Sequence, residues 1–183
     1  LPTIREFIAS GKQILVEGQL GTLRDLDWGI YPYTTSSNPV AGFASVGAGI
    51  PPMEITKVMG IVKAYSSCVG EGPFVTELFG EVADKIREVG KEFGAATGRP
   101  RRIGWFDVVA TRYGAQIQGA TSLCVTLLDV LSCVDTIGVC TRYRIDGEET
   151  DEFPIYHGLT KAEPILKEMP GWNTAGFDDG VWQ

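Results

Sequence analysis

The sequence predicts an α/β fold in which a largely parallel sheet is flanked by helices and carries one β-hairpin excursion. Near-continuous apolar runs at residues 12–18 and 122–131 are typical of strands that are covered on both faces. Residues 75–93 predict the clearest helix, because apolar side chains recur there at helical spacing with charged ones opposite. Asp146-Gly147, between two alternating segments, indicates a tight hairpin.

Shorter patterns predict the other elements. Thr3 can cap a helix over residues 3–10, and Gly11 can close it. Residues 21–38 form a long loop rich in glycine, proline, tyrosine, threonine and serine, and its aromatic side chains favour an ordered loop. We also predict a strand at 57–67 and helices at 40–49, 106–118 and 161–169.

Composition and charge limit the classes of partner. With 183 residues, of which 44% are hydrophobic, residues 1–183 are expected to form a single domain with a substantial core. The net charge of −7 argues against general binding to nucleic acid or to a membrane surface, since both need a positive field. No run of eighteen apolar residues occurs, and the first residues lack the regions of a signal peptide. We therefore expect a cytoplasmic protein whose anion sites are local.

The cysteines and the histidine do not suggest a metal site. Cys68, Cys124, Cys133 and Cys140 form no CxxC motif, and the single histidine, His157, is distant from them in sequence. A serine–histidine–aspartate triad would have to use His157, which has no nucleophile motif near it. We expect reduced thiols and no metal ligands in this chain.

Three arginines, Arg99, Arg101 and Arg102, lie within four positions, behind Gly94 and Gly98. Their planar guanidinium groups suit bidentate binding of a carboxylate or a phosphate. The alternative is a solvated loop whose arginines pair with nearby acids, at about 0–1 kcal/mol for each pair. The residue types fit both interpretations equally. Repulsion among three like charges favours an anionic ligand.

Two further stretches can bind a nucleotide. Asp129 follows an apolar strand at the carboxyl end, where open α/β sheets usually bind ligands, and it can accept hydrogen bonds from two adjacent N–H groups such as those of guanine. Its alternative role is that of an ordinary surface acid. The hydroxyl cluster at residues 34–37 suits a phosphate, although serine and threonine are also common in turns.

Five blocks of sequence resemble the middle portion of the adenylosuccinate synthetase family. They are LVEGQLGTLRDLDWGIYPYTTSSN, KAYSSCVGEGPFVTELF, EFGAATGRPRRIGWFD, VTLLDVL and EPILKEMPGW, and together they extend through essentially the whole chain. The resemblance implies part of a P-loop-NTPase-like fold. It also implies an enzyme, typically a homodimer when complete, that joins IMP to L-aspartate with GTP and Mg²⁺ in AMP synthesis.

The resemblance assigns substrate-binding residues. The implied aspartate-binding residues are Ala95, Ala96, Thr97, Gly98 and Arg99. The implied IMP-binding residues are Thr35, Val69, Arg99, Gln19 and Leu20. The implied GTP-binding residues are Arg101, Leu127 and Asp129.

Three positions depart from the family pattern. Leu20 stands where the family usually has a glutamine, with Gln19 one place earlier. Ala96 replaces the first threonine of the usual pair in the aspartate loop, and Leu127 replaces a lysine before the guanine-binding acid. These departures leave open a same-family enzyme with altered purine specificity.

The family's phosphate-loop motif, of the kind GDEGKGK, does not occur in these 183 residues. By resemblance, the catalytic aspartate lies in that motif and the catalytic histidine a little after it. We therefore expect an internal portion of the enzyme that lacks both the N-terminal phosphate-loop segment and the C-terminal segment of the family. Such a portion is expected to have no catalytic residue or metal ligand of its own and to be inactive alone. The alternative of a different class is a non-catalytic nucleotide- or anion-binding module.

Overall fold

The structure is a computed structural model that describes residues 2–95, 98–155, 158–172, 177–178 and 181–182. The chain divides into two compact units, Leu1–Gly60 with Tyr113–Cys124, and Ile61–Arg112 with Val125–Gln183. We call them unit 1 and unit 2. That the 183 residues fold as one domain stays a prediction.

The helices, in chain order, are α1 (Pro2–Ala9), α2 (Phe43–Ala48), α3 (Glu81–Val89) and α4 (Val108–Gln118). The first strands are β1 (Met59–Lys63), β2 (Ser66–Cys68), β3 (Glu77–Leu78), β4 (Arg102–Gly104), β5 (Phe106–Asp107) and β6 (Ser122–Thr126). The remaining strands are β7 (Thr136–Ile145), β8 (Glu148–Thr150), β9 (Glu163–Pro170), β10 (Phe177–Asp178) and β11 (Val181–Trp182). Short 3₁₀ helices occupy Thr22–Arg24, Pro52–Glu54, Asp129–Cys133 and Leu159–Lys161.

The α/β class, with helices beside a sheet and a β-hairpin, is confirmed. β5 and β7 are parallel, with Phe106 opposite Val139. The share of antiparallel pairing is larger than the sequence indicated, since β4 pairs antiparallel with β2 and β3, and β7 pairs antiparallel with β8 and β9. The connections explain this difference, because β7 and β8 are joined by a two-residue turn that leaves no room for a crossover.

Two segments predicted as regular elements differ from the prediction. The apolar run at residues 12–18 is not a strand, and the side chain of Leu15 is 94% exposed. A strand requires a hydrogen-bonding neighbour, which an apolar run does not supply by itself. The helix predicted at residues 161–169 is wrong, because Glu163–Pro170 is a strand that pairs with β7 along most of its length.

Other boundaries are shorter than predicted. Helix α3 begins at Glu81 rather than near residue 75, since residues 77–78 belong to β3 and Gly80 takes a φ of +74°. Strand β6 ends at Thr126 rather than at residue 131, because Leu127 adopts a φ of +57°, which breaks an extended backbone.

The predicted hairpin turn has the backbone that its sequence requires. Asp146 and Gly147 have φ values of +50° and +91°, and they join β7 to β8. Two successive residues with positive φ are characteristic of the tight turn that matches the twist of antiparallel strands. The Asp-Gly prediction is confirmed.

In unit 1, the long loop at residues 21–38 is fixed to the C-terminal part of α4. The side-chain amide of Gln118 donates hydrogen bonds to the hydroxyl of Thr22 at 2.9 Å and to the carbonyl of Pro39 at 3.1 Å. The hydroxyl of Tyr113 donates to the carbonyl of Trp28 at 2.6 Å. These contacts provide hydrogen-bond partners for loop groups, including backbone carbonyls that would be paired within a helix or a sheet.

Unit 2 contains the main hydrophobic core, in which the largest fully buried side chains include Tyr65, Ile86, Ile103 and Leu131. A second cluster joins Val109, Cys140 and Tyr143. There the hydroxyl of Tyr143 donates to a carboxylate oxygen of buried Asp107 at 2.6 Å, while the other oxygen accepts from the N–H of Ala110. Asp107 therefore caps the start of α4.

Candidate functional site

The arginine loop, residues 93–100, is closed by backbone contacts at its base. Phe93 and Pro100 form an isolated antiparallel bridge, and the N–H of Gly94 donates to the carbonyl of Arg99 at 2.8 Å. Within the loop, the N–H of Gly98 donates to the carbonyl of Gly94 at 2.7 Å, and Gly98 has a φ of +65°. A β-carbon at Gly98 would strain this conformation, which explains the glycine.

The loop carries the residues that the sequence assigned to aspartate. Ala95, Gly98 and Arg99 are exposed on it. Ala96 and Thr97 lie outside the described residues, so their assigned roles stay predictions.

Arg101, which directly follows the loop, contacts a buried carboxylate. Glu92 is only 3% exposed, and one of its oxygens lies 3.3 Å from a terminal nitrogen of Arg101. The other oxygen accepts from the ammonium of Lys63 at 2.5 Å and from the hydroxyl of Tyr65 at 2.6 Å. The Nε of Arg101 is buried and has no hydrogen-bond partner.

The charges of this cluster shift the pKa values of its members. Burial alone would raise the pKa of Glu92, but hydrogen bonds from Lys63 and Tyr65, with the charges of Lys63 and Arg101, outweigh burial and lower that pKa. Burial, followed by the hydrogen bond to Glu92, raises the pKa of Tyr65 well above its usual range. At neutral pH, Glu92 is therefore an anion and Tyr65 keeps its proton.

Arg102 also contacts a carboxylate. Its Nε and one terminal nitrogen donate to the two oxygens of Glu77 at 2.6 Å and 2.5 Å. The other terminal nitrogen donates to the carbonyls of Gly70 at 3.2 Å and Gly72 at 2.9 Å. The guanidinium thus binds its own protein in the fork geometry that suits carboxylates.

These pairs change the interpretation of the three arginines. Repulsion between Arg101 and Arg102 is offset by Glu92 and Glu77, so an external anion is not needed to explain their proximity. Sequence reasoning missed both glutamates, because each lies in a segment that was assigned wholly to one long helix. The signal that could have found Glu77 is the Gly80 that ends the strand before α3.

Val69 lies beside this segment. In the register of β2 and β4, Cys68 is opposite Arg102, so Val69 follows at the same end of the strands as Arg101. Its side chain is exposed. Val69, which is predicted to bind IMP, and Arg101, which is predicted to bind GTP, therefore lie at the same end of this three-stranded sheet.

Asp129 and Leu127 lie just beyond the carboxyl end of β6. Asp129 begins a 3₁₀ helix and is exposed, so its location past a strand end is confirmed although the strand itself is shorter. Leu127 is also exposed. The indole N–H of Trp172 donates to the carbonyl of Leu128 at 3.0 Å and holds the intervening turn.

Asp129 and Arg101 both act electrostatically on Tyr65. The charge of Asp129 contributes to raising the pKa of Tyr65, and the charge of Arg101 opposes that rise, so both groups act on one hydroxyl. Both residues are GTP-binding predictions of unit 2.

One of the IMP-binding predictions of unit 1, Gln19, lies at a cleft of about 540 Å³. Gln19 lines this cleft, while Leu20 beside it is exposed and has a φ of +71°. Thr35 is half-buried, its N–H donates to the carbonyl of Arg24 at 2.8 Å, and its hydroxyl accepts from the N–H of Ser37. The cleft is lined by Glu17, Gly18, Gln19, Ser36, Ser37, Asn38, Pro39 and Phe43.

Within the described part of the chain, no group of three or more histidine, cysteine, aspartate or glutamate side chains is placed to hold a metal ion. No helix among the residues that the structure describes is both long and apolar enough to cross a bilayer.

Comparison with protein families identifies one match. The sequence profile described as adenylosuccinate synthetase matches residues 2–179. Among curated relatives, an adenylosuccinate synthetase of Streptococcus gordonii is 51% identical over 164 residues, which is 89% of this chain and 38% of the relative. One from Listeria welshimeri is 47% identical over 170 residues, which is 92% of this chain and 40% of the relative.

This chain therefore spans about two fifths of the length of the curated relatives it matches. Among solved structures, a fully ligated adenylosuccinate synthetase from Plasmodium falciparum has a TM-score of 0.89 at 35% identity, covering 93% of this chain and 42% of that chain. A succinoaminodeoxyadenylate synthetase from cyanophage S-2L has a TM-score of 0.58 at 18% identity, covering 89% and 49%. The second likeness supports the fold alone.

Proposed function

Since the chain belongs to the adenylosuccinate synthetase family, we propose that it supplies binding elements for IMP, L-aspartate and GTP in the ligation of IMP and aspartate to adenylosuccinate. The match over residues 2–179 is the observation that carries this proposal. In AMP biosynthesis, GTP phosphorylates the 6-oxygen of IMP, and the amine of aspartate then displaces that phosphate.

The arginine loop binds aspartate in this proposal. Arg99 is exposed on a loop closed at its base, and a guanidinium suits a carboxylate. Arg99 also reaches IMP. The aspartate-binding set is Ala95, Ala96, Thr97, Gly98 and Arg99.

The cleft of unit 1 is one part of the chain that is proposed to bind IMP. The cleft beside Gln19 offers hydroxyl, amide and backbone groups of the kinds that bind phosphate and ribose. Exposed Val69 supplies an apolar contact. The proposed set is Thr35, Val69, Arg99, Gln19 and Leu20.

GTP binding rests on charge. The exposed carboxylate of Asp129 can accept the two adjacent N–H groups of guanine, and Leu127 lies two residues before it. Arg101 faces the nucleotide, and Lys63 and Tyr65 can still satisfy Glu92 when Arg101 turns to a phosphate. Mg²⁺ would neutralise phosphate charge during transfer. The described residues contain no cluster of side chains that could hold Mg²⁺, so they are given no role in binding the ion.

The same proposal assigns the catalytic aspartate and histidine to sequence outside these 183 residues. It also includes the cytoplasm as the location and a homodimer as the form of the complete enzyme. This chain binds and orients substrates, and it does not turn them over alone.

Calorimetry tests the binding role. The chain is titrated with IMP, GTP and aspartate, together with Arg99→Met and, as a control, Arg112→Met. Arg112 pairs with Asp151 on the surface and has no proposed ligand role. Arg99→Met is expected to weaken aspartate binding at least about tenfold, while Arg112→Met leaves it unchanged.

A turnover assay tests the division of labour. GTP-dependent adenylosuccinate formation is measured for the chain alone and mixed with the N-terminal portion of the Listeria welshimeri relative. We expect turnover only in the mixture. Turnover by the chain alone would contradict the assignment of the catalytic groups, and tight binding of unrelated anions without IMP binding would instead favour a non-catalytic anion module.

A further inference from the structure

Arg102 is surrounded by groups of its own chain. Its side chain is 29% exposed and that of Glu77 is 17% exposed, and four of its hydrogen bonds are made to Glu77, Gly70 and Gly72. The ring of Phe74 lies 5.3 Å from its guanidinium carbon. One side chain thus contacts four residues of a single short stretch.

That stretch is the 69–76 loop with the first residue of β3. It leaves β2 after Cys68, whose backbone partner is Arg102, and re-enters the sheet at Glu77, whose backbone partner is Gly104. Arg102 lies on β4, the central strand between β2 and β3. The guanidinium therefore bridges the start, the middle and the end of the loop.

Close packing supports this arrangement. A β-carbon at Gly104 would lie 2.6 Å from the ring of Phe74 and 2.7 Å from the carbonyl of Thr76. The hydroxyl of Thr76 also donates to the carbonyl of Trp105 at 2.9 Å. The loop is folded down onto β4, and Arg102 holds its outer part, where Gly70 and Gly72 adopt positive φ.

We propose that Arg102 is a positioning residue that fixes the 69–76 loop, and with it Val69, relative to the arginine loop from which β4 continues. The inference rests on the proposed function, because Val69 is assigned there to IMP. It gives Arg102 a role without ligand contact, whereas Arg99 contacts substrates and Arg101 contacts the nucleotide.

Lysine cannot replace this arginine. The guanidinium satisfies a carboxylate with two parallel bonds and two carbonyls with its other terminal nitrogen, in one plane. An ammonium is a single point on a flexible stem and cannot reach both ends of the loop at once. Arg102→Lys therefore keeps the charge and removes the bridge.

The test compares Arg102→Lys with Arg112→Lys on the full 183-residue chain. Arg112 is the matched control, since it pairs with Asp151 at the surface. In Arg102→Lys, hydrogen exchange of the amides at residues 69–76 is expected to accelerate about tenfold or more, with α3 and β7 unchanged. IMP affinity is expected to fall about tenfold and GTP affinity to change by less than about twofold.

Glu77→Gln is the second variant, for the case in which Arg102→Lys lowers the melting temperature strongly. This substitution keeps the shape of the side chain that Arg102 contacts but weakens the two parallel hydrogen bonds between them. It is expected to accelerate hydrogen exchange of the same loop. Unchanged exchange at residues 69–76 in both variants, or equal acceleration throughout unit 2, overturns the inference.

The ligand measurements separate two failures. A wild-type chain that binds no IMP contradicts the proposed function, while its exchange pattern still decides whether Arg102 holds the loop. A wild-type chain that binds IMP, with Arg102→Lys binding equally well, overturns the positioning role alone.

Discussion

Glu92 shows how one residue organises its surroundings. It is a buried carboxylate that accepts from Lys63 and Tyr65 and pairs with Arg101. A buried charge destabilises the folded state unless other groups pair with it. Removing one partner of such a pair therefore lowers the free energy of unfolding by more than the pair itself contributes. The three partners therefore act as one unit.

Glu92→Gln is expected to lower the free energy of unfolding at pH 7 by about 1–3 kcal/mol. Because the pKa of Glu92 is lowered in the folded state, its contribution is present above the ordinary value of 4.5 and is lost as pH falls through the folded pKa. Urea unfolding at pH 7 and at pH 4 measures both the loss of stability in the variant and its dependence on pH. The variant should lose less stability on acidification than the wild type.

Glu88→Gln is the control for this prediction, because Glu88 is exposed on α3. We expect it to change neither stability nor acid sensitivity noticeably. Equal acid sensitivity of the wild type and Glu92→Gln contradicts the pKa assignment.

The pKa shift of Asp107 has the opposite sign to that of Glu92. Burial raises its pKa above the ordinary value of 3.8, while hydrogen bonds from Ala110 and Tyr143 oppose that rise. The stability associated with the protonated form is therefore fully present below the ordinary value and is lost as pH rises through the folded pKa.

Tyr143→Phe removes a hydrogen bond to this carboxylate and is expected to raise the pKa of Asp107 further. The free energy of unfolding should fall by about 1–3 kcal/mol at pH 7 and by less at pH 4. Urea titrations at both pH values test this. Tyr31→Phe, at an exposed side chain, should have little effect.

At the scale of elements, local signals predicted turns and helices better than strands. Asp146-Gly147 specifies its own backbone, and the amphipathic part of residues 75–93 forms α3. Residues 12–18 and 161–169 were mispredicted because strand formation depends on a neighbour that is distant in sequence.

The hairpin turn yields an element-scale prediction. Gly147→Ala is expected to reduce the free energy of unfolding by about 1–2 kcal/mol, since Gly147 has a φ of +91°. Gly42→Ala is the matched control, because Gly42 has a φ of −57° and open space around its α-carbon. Thermal unfolding of both variants measures this difference in stability. Equal destabilisation would contradict a cost specific to the positive φ.

At the scale of the whole molecule, the family could be recognised from sequence, whereas the pairing of its charges could not. The blocks around Arg99 and Asp129 predicted which residue types bind anions and purines. Glu77 lies 25 residues from Arg102 and meets it through the pairing of β3 with β4. Glu92 lies 9 residues from Arg101 and meets it beside the isolated bridge between Phe93 and Pro100. Such contacts require a register, which composition and periodicity do not supply.

Thiol reactivity reports on the whole chain. Cys124 is exposed on β6, where Leu123 and Val125 on either side are exposed too, while Cys140 is fully buried and burial raises the pKa of its thiol to about 12. A maleimide should label Cys124 rapidly and Cys140 only after unfolding. Mass spectrometry of timed samples measures the order. Early labelling of Cys140 would contradict the packing of the second cluster.

The paired arginines also affect how far the molecule attracts anions. Glu77 and Glu92 cancel much of the field of Arg102 and Arg101 at distances beyond a few ångströms, in a chain whose net charge is −7. If the chain binds a nucleotide as proposed, that anion meets little long-range attraction here, and added salt should change its association rate only slightly. The proposed ligand binding on this surface would then be a short-range event, limited by collision and reorientation rather than by electrostatic steering.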